Sequence, residues 1–187
     1  MRMRVWAAVF LFGLGVGAAI AQTPAQSQPQ PTSMSQPGGM DMGHGKPTLP
    51  PGPLKITFGD KSAEWTAATL AALPHTTVTV FNEHAKVNQT YSGVALIDLL
   101  TRLGVPDKPR GKEFRLYLVA EGSDGYQVVY SLGEVTPDVH DATVIVADTL
   151  DGKALADDGP LKLVATGEKR PARWVRNLVA IRVLTAE

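Results

Sequence analysis

The sequence predicts an α+β fold in which strands dominate, with β-rich mixed sheets and a few short helices. Three observations carry that expectation. Short runs of β-branched, aliphatic and aromatic residues recur between residues 76 and 184. Only two stretches show helical spacing, and the strands do not alternate with them as they would in a parallel α/β sheet. Turn residues separate several of the runs by gaps short enough for hairpins.

Taken in order, a short helix is expected over Ala67–Leu73, stopped by Pro74, because the residue before a proline is driven out of the helical region. Thr76–Phe81 (TTVTVF) is wholly β-branched or aromatic and reads as a strand. Ser92 is a candidate N-cap for the clearest helix, in which Leu96, Leu99, Leu100 and Leu103 fall at helical spacing. Gly104 sits where a left-handed residue would end it, with Pro106 just beyond. Phe114–Ala120 alternates, placing Phe114, Leu116 and Leu118 on one face. Tyr126–Tyr130, Thr143–Ala147 and Leu161–Ala165 are further strand-like runs, and Leu178–Leu184 puts Val179, Ile181 and Val183 together. Ser123-Asp124-Gly125 and Asp151-Gly152 supply hairpin chemistry between neighbouring runs.

The first 21 residues have the pattern of a cleavable secretory signal. Arg2 and Arg4 form a basic start, an apolar run extends from Val5 to Ile20, and Ala19-Ile20-Ala21 provides a small-residue cleavage site. A retained anchor is the alternative, but the run is shorter than the roughly 20 residues that span a bilayer. The expected destination is periplasmic or secreted. Removing Arg2 and Arg4 from the 18 Lys and Arg leaves 16 against 18 Asp and Glu, a formal charge of −2. That balance gives no reason to expect nucleic-acid binding, and no second long apolar run suggests stable membrane insertion. Residues 22–53 are rich in Gln, Pro, Ser, Thr, Gly and Met and read as a flexible tether, leaving 54–187 as the folded domain.

There is no cysteine in the chain, which excludes disulfides, thiolate nucleophiles and cysteine-ligated metals. Esterase elbows, phosphate loops and zinc-protease helices are absent as well. His75 and His84 flank the TTVTVF strand, and each is more simply a loop histidine than a ligand. Met34, Met40, Met42 and His44 in the tether offer soft donors suited to copper, though their irregular spacing better fits a linker with incidental methionines. The richest cluster is residues 167–177, where Lys169, Arg170, Arg173 and Arg176 surround Trp174. Arginine forks bind phosphate or carboxylate, and an indole offers a stacking face. A solvated loop with Trp174 plugging the core fits the same residues.

The order of segments resembles a known family. Thr90-Tyr91-Ser92-Gly93-Val94-Ala95-Leu96-Ile97-Asp98-Leu99-Leu100 with Leu103-Gly104-Val105 is similar to a stretch of molybdopterin-binding oxidoreductase domains of the sulfite-oxidase type. The similarity continues through Asp124-Gly125-Tyr126, Ala147-Asp148, Asp151–Leu155, Asp158–Val164 and Arg173-Trp174-Val175-Arg176, and so covers most of 54–187. The resemblance implies twisted mixed sheets and a basic loop near the C-terminus that helps hold a molybdenum–pterin with a phosphate tail. It implies ligand contacts for Arg170, Arg173 and Arg176, with Trp174, Tyr126 and His84 around the same site.

Catalytic members of that family place a cysteine thiolate on molybdenum shortly after a strand like Thr76–Phe81. Here the neighbourhood reads Phe81-Asn82-Glu83-His84. Three expectations follow. The first is a binding module without bound cofactor, its basic pocket taking a small anion, a pterin fragment or a partner protein. The second is a periplasmic oxidoreductase using molybdopterin with His84, Glu83 or Asn82 as substitute ligand. The third is a copper-binding protein acting through its tether. The family's loaded members are exported folded behind adjacent arginines, whereas Met3 separates Arg2 from Arg4 here, so passage without cofactor is expected.

Overall fold

A computed structural model describes residues 52–83 and 85–187. The signal segment, the tether donors Met34, Met40, Met42 and His44, and the candidate ligand His84 lie outside the described residues.

Among the described residues, ten strands form two five-stranded sheets. In the first, β1 (Leu54–Phe58) lies between β2 (Lys61–Trp65) and β10 (Leu178–Thr185), followed by β5 (Leu116–Gly122) and the edge strand β6 (Gln127–Ser131). The β1–β10 pairing is parallel and the others antiparallel, so the sheet is mixed as expected. The second sheet runs β3 (Thr76–Asn82), β4 (Val87–Ala95), β7 (Val144–Leu150), β8 (Lys153–Ala154), with β9 (Lys162–Ala165) also paired to β7. Val144 to Asp148 in β7 are all buried, which explains their nearly unbroken apolar run: a strand covered on both faces does not alternate.

One core joins the sheets. Leu54 and Ile56 of β1, Leu118 of β5 and Ile181 of β10 meet Val94 of β4, Val146 of β7 and Leu163 of β9 there. Helix α2 (Leu96–Thr101) adds Leu96, Leu99 and Leu100. The opposite face of the second sheet carries a smaller cluster of Val78, Tyr91, Ile145, Ala147 and Val164. Trp174 packs against both clusters.

Several expectations move when placed in the fold. Ser92 is not a helix cap but a residue of β4. Helix α2 starts after Ala95 without a side-chain cap, because Ser92 and Gly93 are needed for pairing with β7. The C-terminus is as expected: Gly104 has φ +91°, and its N–H and that of Val105 bond the carbonyls of Thr101 and Leu100 in a Schellman arrangement. Helix α1 (Ala67–Leu70) is shorter than 67–73 and is capped by Thr66, whose Oγ1 accepts the Thr69 N–H. Phe114 belongs to a 3₁₀ turn (Gly111–Arg115) and is exposed, so the buried alternation begins at Leu116. Both hairpin turns are present, with Gly125 at φ +81° and Asp151-Gly152 at +50° and +75°. A further helical turn, α3 (Leu132–Val135), is capped by Ser131 and follows β6.

Between β4 and β7 the register slips by one residue. Ser92 faces Thr149 and Gly93 faces Ala147, so Asp148 is the extra residue of a bulge.

Candidate functional site

A cleft of about 2120 Å³ opens over the outer face of the second sheet. Its walls are the end of β3, the β7–β8 turn, the Asp124–Tyr126 turn and the loop 165–176. Small-molecule pockets are usually about 300–1,000 Å³, so this is an extended groove.

Lys162 forms its floor. The side chain is buried on β9, and its ammonium donates to Asp158 Oδ2 at 2.6 Å and to Tyr91 Oη at 3.1 Å. It also stands 4.8 Å from the Tyr91 ring centre and 5.2 Å from that of Trp174. The two rings meet edge-to-face at 5.6 Å. A buried ammonium needs partners, and two aromatic faces, a hydroxyl and a carboxylate supply them. Tyr91 in turn donates to Gln89, which also accepts from Asn82. Trp174 Nε1 donates to the Ala165 carbonyl at 2.8 Å. Its ring therefore serves the floor and core as well as bordering the cleft.

Of the residues singled out from the sequence, Tyr126, Arg170, Trp174 and Arg176 all line this cleft. Tyr126 is exposed and its hydroxyl donates to the Ala172 carbonyl, tying the β5–β6 turn to the basic loop. Arg176 is mostly exposed, with Nε 3.7 Å from Asp158. Arg173 stands apart. Its guanidinium donates to Glu134 Oε1 at 2.8 Å and to Glu168 Oε1, and lies 4.5 Å over the Tyr130 ring.

Those contacts define Arg173 as the fastener of the loop. The Glu134 hydrogen bond above all holds its pKa well above the ordinary arginine value. Burial pushes Glu134 up, but the Ser131 N–H and Arg173 outweigh it and leave its carboxyl below the usual range. Burial also raises the Tyr130 phenol, whose hydroxyl donates to the Arg173 carbonyl at 2.8 Å.

Net charge does not favour an anion here, since six basic and six acidic side chains line the cleft. Unused hydrogen-bonding capacity does. Glu83 is paired with Lys86, Asp158 with Lys162, and Glu168 with Arg173. Asp124 and Asp151 accept the backbone N–H groups of Tyr126 and Thr90. Among the cleft's described side chains, Lys153, Lys169 and Arg170 form no ion pair, and neither do Asp124, Asp151 and Asp157, although Asp124 and Asp151 each accept a backbone N–H. Three unpaired cationic donors are thus open to a carboxylate or phosphate.

A molybdenum centre fits these residues poorly. The chain has no sulfur ligand of the thiolate type, and among the described residues no group of three or more His, Asp or Glu side chains could hold a metal. Of the two substitute ligands that are described, Glu83 is ion-paired and the Asn82 amide is spent on Gln89 and the Ala85 N–H.

Sequence reading missed Lys162 and Tyr91. Both lie in segments quoted for the family resemblance, but a lysine within a strand reads as solvent-facing until the tertiary structure covers it. Lys162→Met keeps the volume and deletes the charge, leaving Asp158 with Arg176 at 3.7 Å. The expected cost is about 1–2 kcal/mol in urea unfolding, below the full penalty for breaking a buried pair because Asp158 is partly solvated. An unchanged midpoint would show that the ammonium adds nothing to stability.

Comparison with known proteins adds two findings. Residues 54–187 match the family described as oxidoreductase molybdopterin binding domain. The chain is also 33% identical over 82 residues to the DNA primase small subunit PriS of Thermoplasma volcanium, a stretch that is 44% of this chain and only 23% of that protein.

Proposed function

The chain belongs to the oxidoreductase molybdopterin-binding domain family, and from that premise we propose that it is an exported, non-catalytic member that uses its cleft to bind an anionic ligand, a pterin fragment or a partner protein. The observation that carries this reading is the absence of cysteine from all 187 residues in a family whose catalytic members bind molybdenum through a thiolate. Unpaired donors at Lys153, Lys169 and Arg170 support the choice of an anion. Arg176 and the Lys162 floor lie in the same cleft. Oxygen transfer lacks a donor set for molybdenum among the described residues.

Partial likeness to a primase subunit does not extend to nucleic acid. A phosphate backbone calls for a surplus of basic side chains, and the whole chain is formally neutral with a charge-balanced cleft.

One preparation tests the reading. Protein purified from its native source is expected to begin at Gln22 by intact mass and to contain no stoichiometric molybdenum by elemental analysis. Inorganic pyrophosphate should bind it, and Arg170→Ala with Arg176→Ala should weaken that binding about ten-fold, the loss of one charge-assisted contact or more. Stoichiometric molybdenum would overturn the non-catalytic assignment. Pyrophosphate binding indifferent to both arginines would remove the anion site.

A further inference from the structure

We propose that two copies of this chain associate through β3, pairing edge to edge in antiparallel register about Thr79. The proposal does not depend on which ligand the cleft takes. Among the described residues, β3 has β4 on one side and no strand on the other. Its stretch Thr76–Phe81 holds no charge, no proline and no glycine.

Natural sheets guard such edges with charges, proline, bulges or a covering segment. The other edges of this molecule are guarded in that manner. Strand β2 places exposed Lys61 and Glu64 on its edge. On β6 the Val129 carbonyl receives the Arg173 guanidinium at 3.4 Å. Strand β8 is only two residues long, and β9 is bridged by Val175 through Leu163.

The hydrogen bonds of β4 fix which groups of β3 are turned outward. The Thr90 N–H and C=O both engage Asp151, just beyond β7. Direction alternates along a strand, so Gln89 and Tyr91 turn their groups to β3, where they oppose Val80 and Val78. Along β3 the backbone groups of Thr77, Thr79 and Phe81 therefore face the open side.

A second copy of the same strand matches that edge. With Thr79 opposite its own copy, Thr77 falls opposite Phe81, and Val78 opposite Val80. All three outward residues then exchange hydrogen bonds within the strand, which no other antiparallel register of β3 with itself achieves. Val78 and Val80 pack in the small cluster on the outer face, and the pairing carries that apolar layer from one copy to the other. On the opposite face the exposed Phe81 ring meets the methyl group of Thr77, an aromatic and β-branched cross-strand pair. His75 and Glu83 flank the strand and fall opposite each other, so like charges do not meet. The two-fold axis stands perpendicular to the sheet, and both clefts open on the same side of one continuous sheet.

Sedimentation of protein purified from its native source, followed across a dilution series, tests the pairing. A dimer is expected with a Kd on the order of 100 µM, because one strand pair buries less than the roughly 1,200 Å² of a standard interface. Amide exchange of Thr77, Thr79 and Phe81 should slow as the concentration rises. Thr79→Lys and Thr79→Glu each set like charges in direct opposition and should weaken association at least about ten-fold. Thr79 is exposed, so both variants keep the fold, which circular dichroism checks. Mixed in equal amounts, the two variants should associate at least as tightly as the parent, because Lys then opposes Glu.

A protein that stays monomeric at about 1 mM, ten times the expected Kd, overturns the proposal. So does a dimer that both variants leave intact, since another surface would then hold the copies together. A mixture that fails to restore association overturns the register about Thr79 and with it the pairing.

Discussion

Gly93→Ala is expected to abolish the native fold, with a loss of more than about 4 kcal/mol, a large part of the stability of an ordinary domain. A Cβ built on Gly93 would stand 2.1 Å from the Val146 carbonyl oxygen and 2.5 Å from the Ala147 Cα. Those atoms belong to the backbone of β7, which cannot step aside as the end of a flexible side chain can. Strand β7 is held on its far side by β9 and buried on both faces. A shift large enough to admit a methyl group would break the β4–β7 or the β7–β9 ladder, and close-packed interiors do not absorb such a displacement. Gly152, with nothing within 4 Å of its Cβ position but φ at +75°, serves as the comparison. Gly152→Ala should cost only about 1 kcal/mol of backbone strain. Circular dichroism and thermal melting of the two variants check this. A Gly93→Ala protein melting within a few degrees of the parent would refute the close approach.

The same strand shows what was legible in the sequence and what was hidden. Thr76–Phe81, Tyr126–Tyr130 and Leu178–Leu184 announced themselves, because exposed and buried faces alternate along them or β-branched residues fill them. Strand β4, VNQTYSGVA, has no such pattern: Val87 and Asn88 are exposed, Gln89 and Thr90 half-buried, and its more buried half contains a glycine and a serine. Ser92 before a helical run is a standard capping signal, and only the β7 partner, more than fifty residues away, makes it a strand residue. Local propensity lost to tertiary pairing. The β1–β2 hairpin was hidden for a similar reason, since β2 is an edge strand with only Trp65 fully buried.

The basic loop was visible as a cluster, but its division of labour was not. Arg170, Arg173 and Arg176 look alike in the sequence. Which of them is free depends on Glu134, some forty residues away, and on Glu168 within the loop. Arg173 is consumed in fastening the loop to α3, whereas Arg170 is left facing the cleft. Lys162 is the converse: a residue type that sequence reading assigns to solvent, taken under cover by Tyr91 and Trp174.

Stability should fall as pH rises above 6.5, through His75, whose pKa is raised in the folded chain. Both ring nitrogens face acceptors: Nδ1 lies 2.7 Å from the Leu73 carbonyl and Nε2 3.0 Å from Asp148 Oδ2. A neutral imidazole has one N–H and can serve only one of them, so the arrangement is complete only as imidazolium. Asp148 is buried at the β7 bulge, and its Oδ1 has no hydrogen-bond partner among the described residues, which makes the His75 proton its main compensation. The Asp148 hydrogen bond, followed by that to Leu73, raises the His75 pKa above 6.5. The folded chain therefore keeps a proton that the unfolded chain releases near 6.5. The resulting stabilisation is fully present below that pH and is lost as the pH climbs through the raised folded value.

Urea unfolding at pH 6 and at pH 8.5 should show the midpoint dropping in the parent. The drop should shrink in Asp148→Asn, where no carboxylate holds the proton. His75→Ala strands the Asp148 carboxylate and should cost about 2–4 kcal/mol at pH 6, the penalty of breaking a largely buried pair from one side. Equal pH dependence in the parent and Asp148→Asn, or a His75→Ala variant as stable as the parent, would show that the pair carries no such coupling.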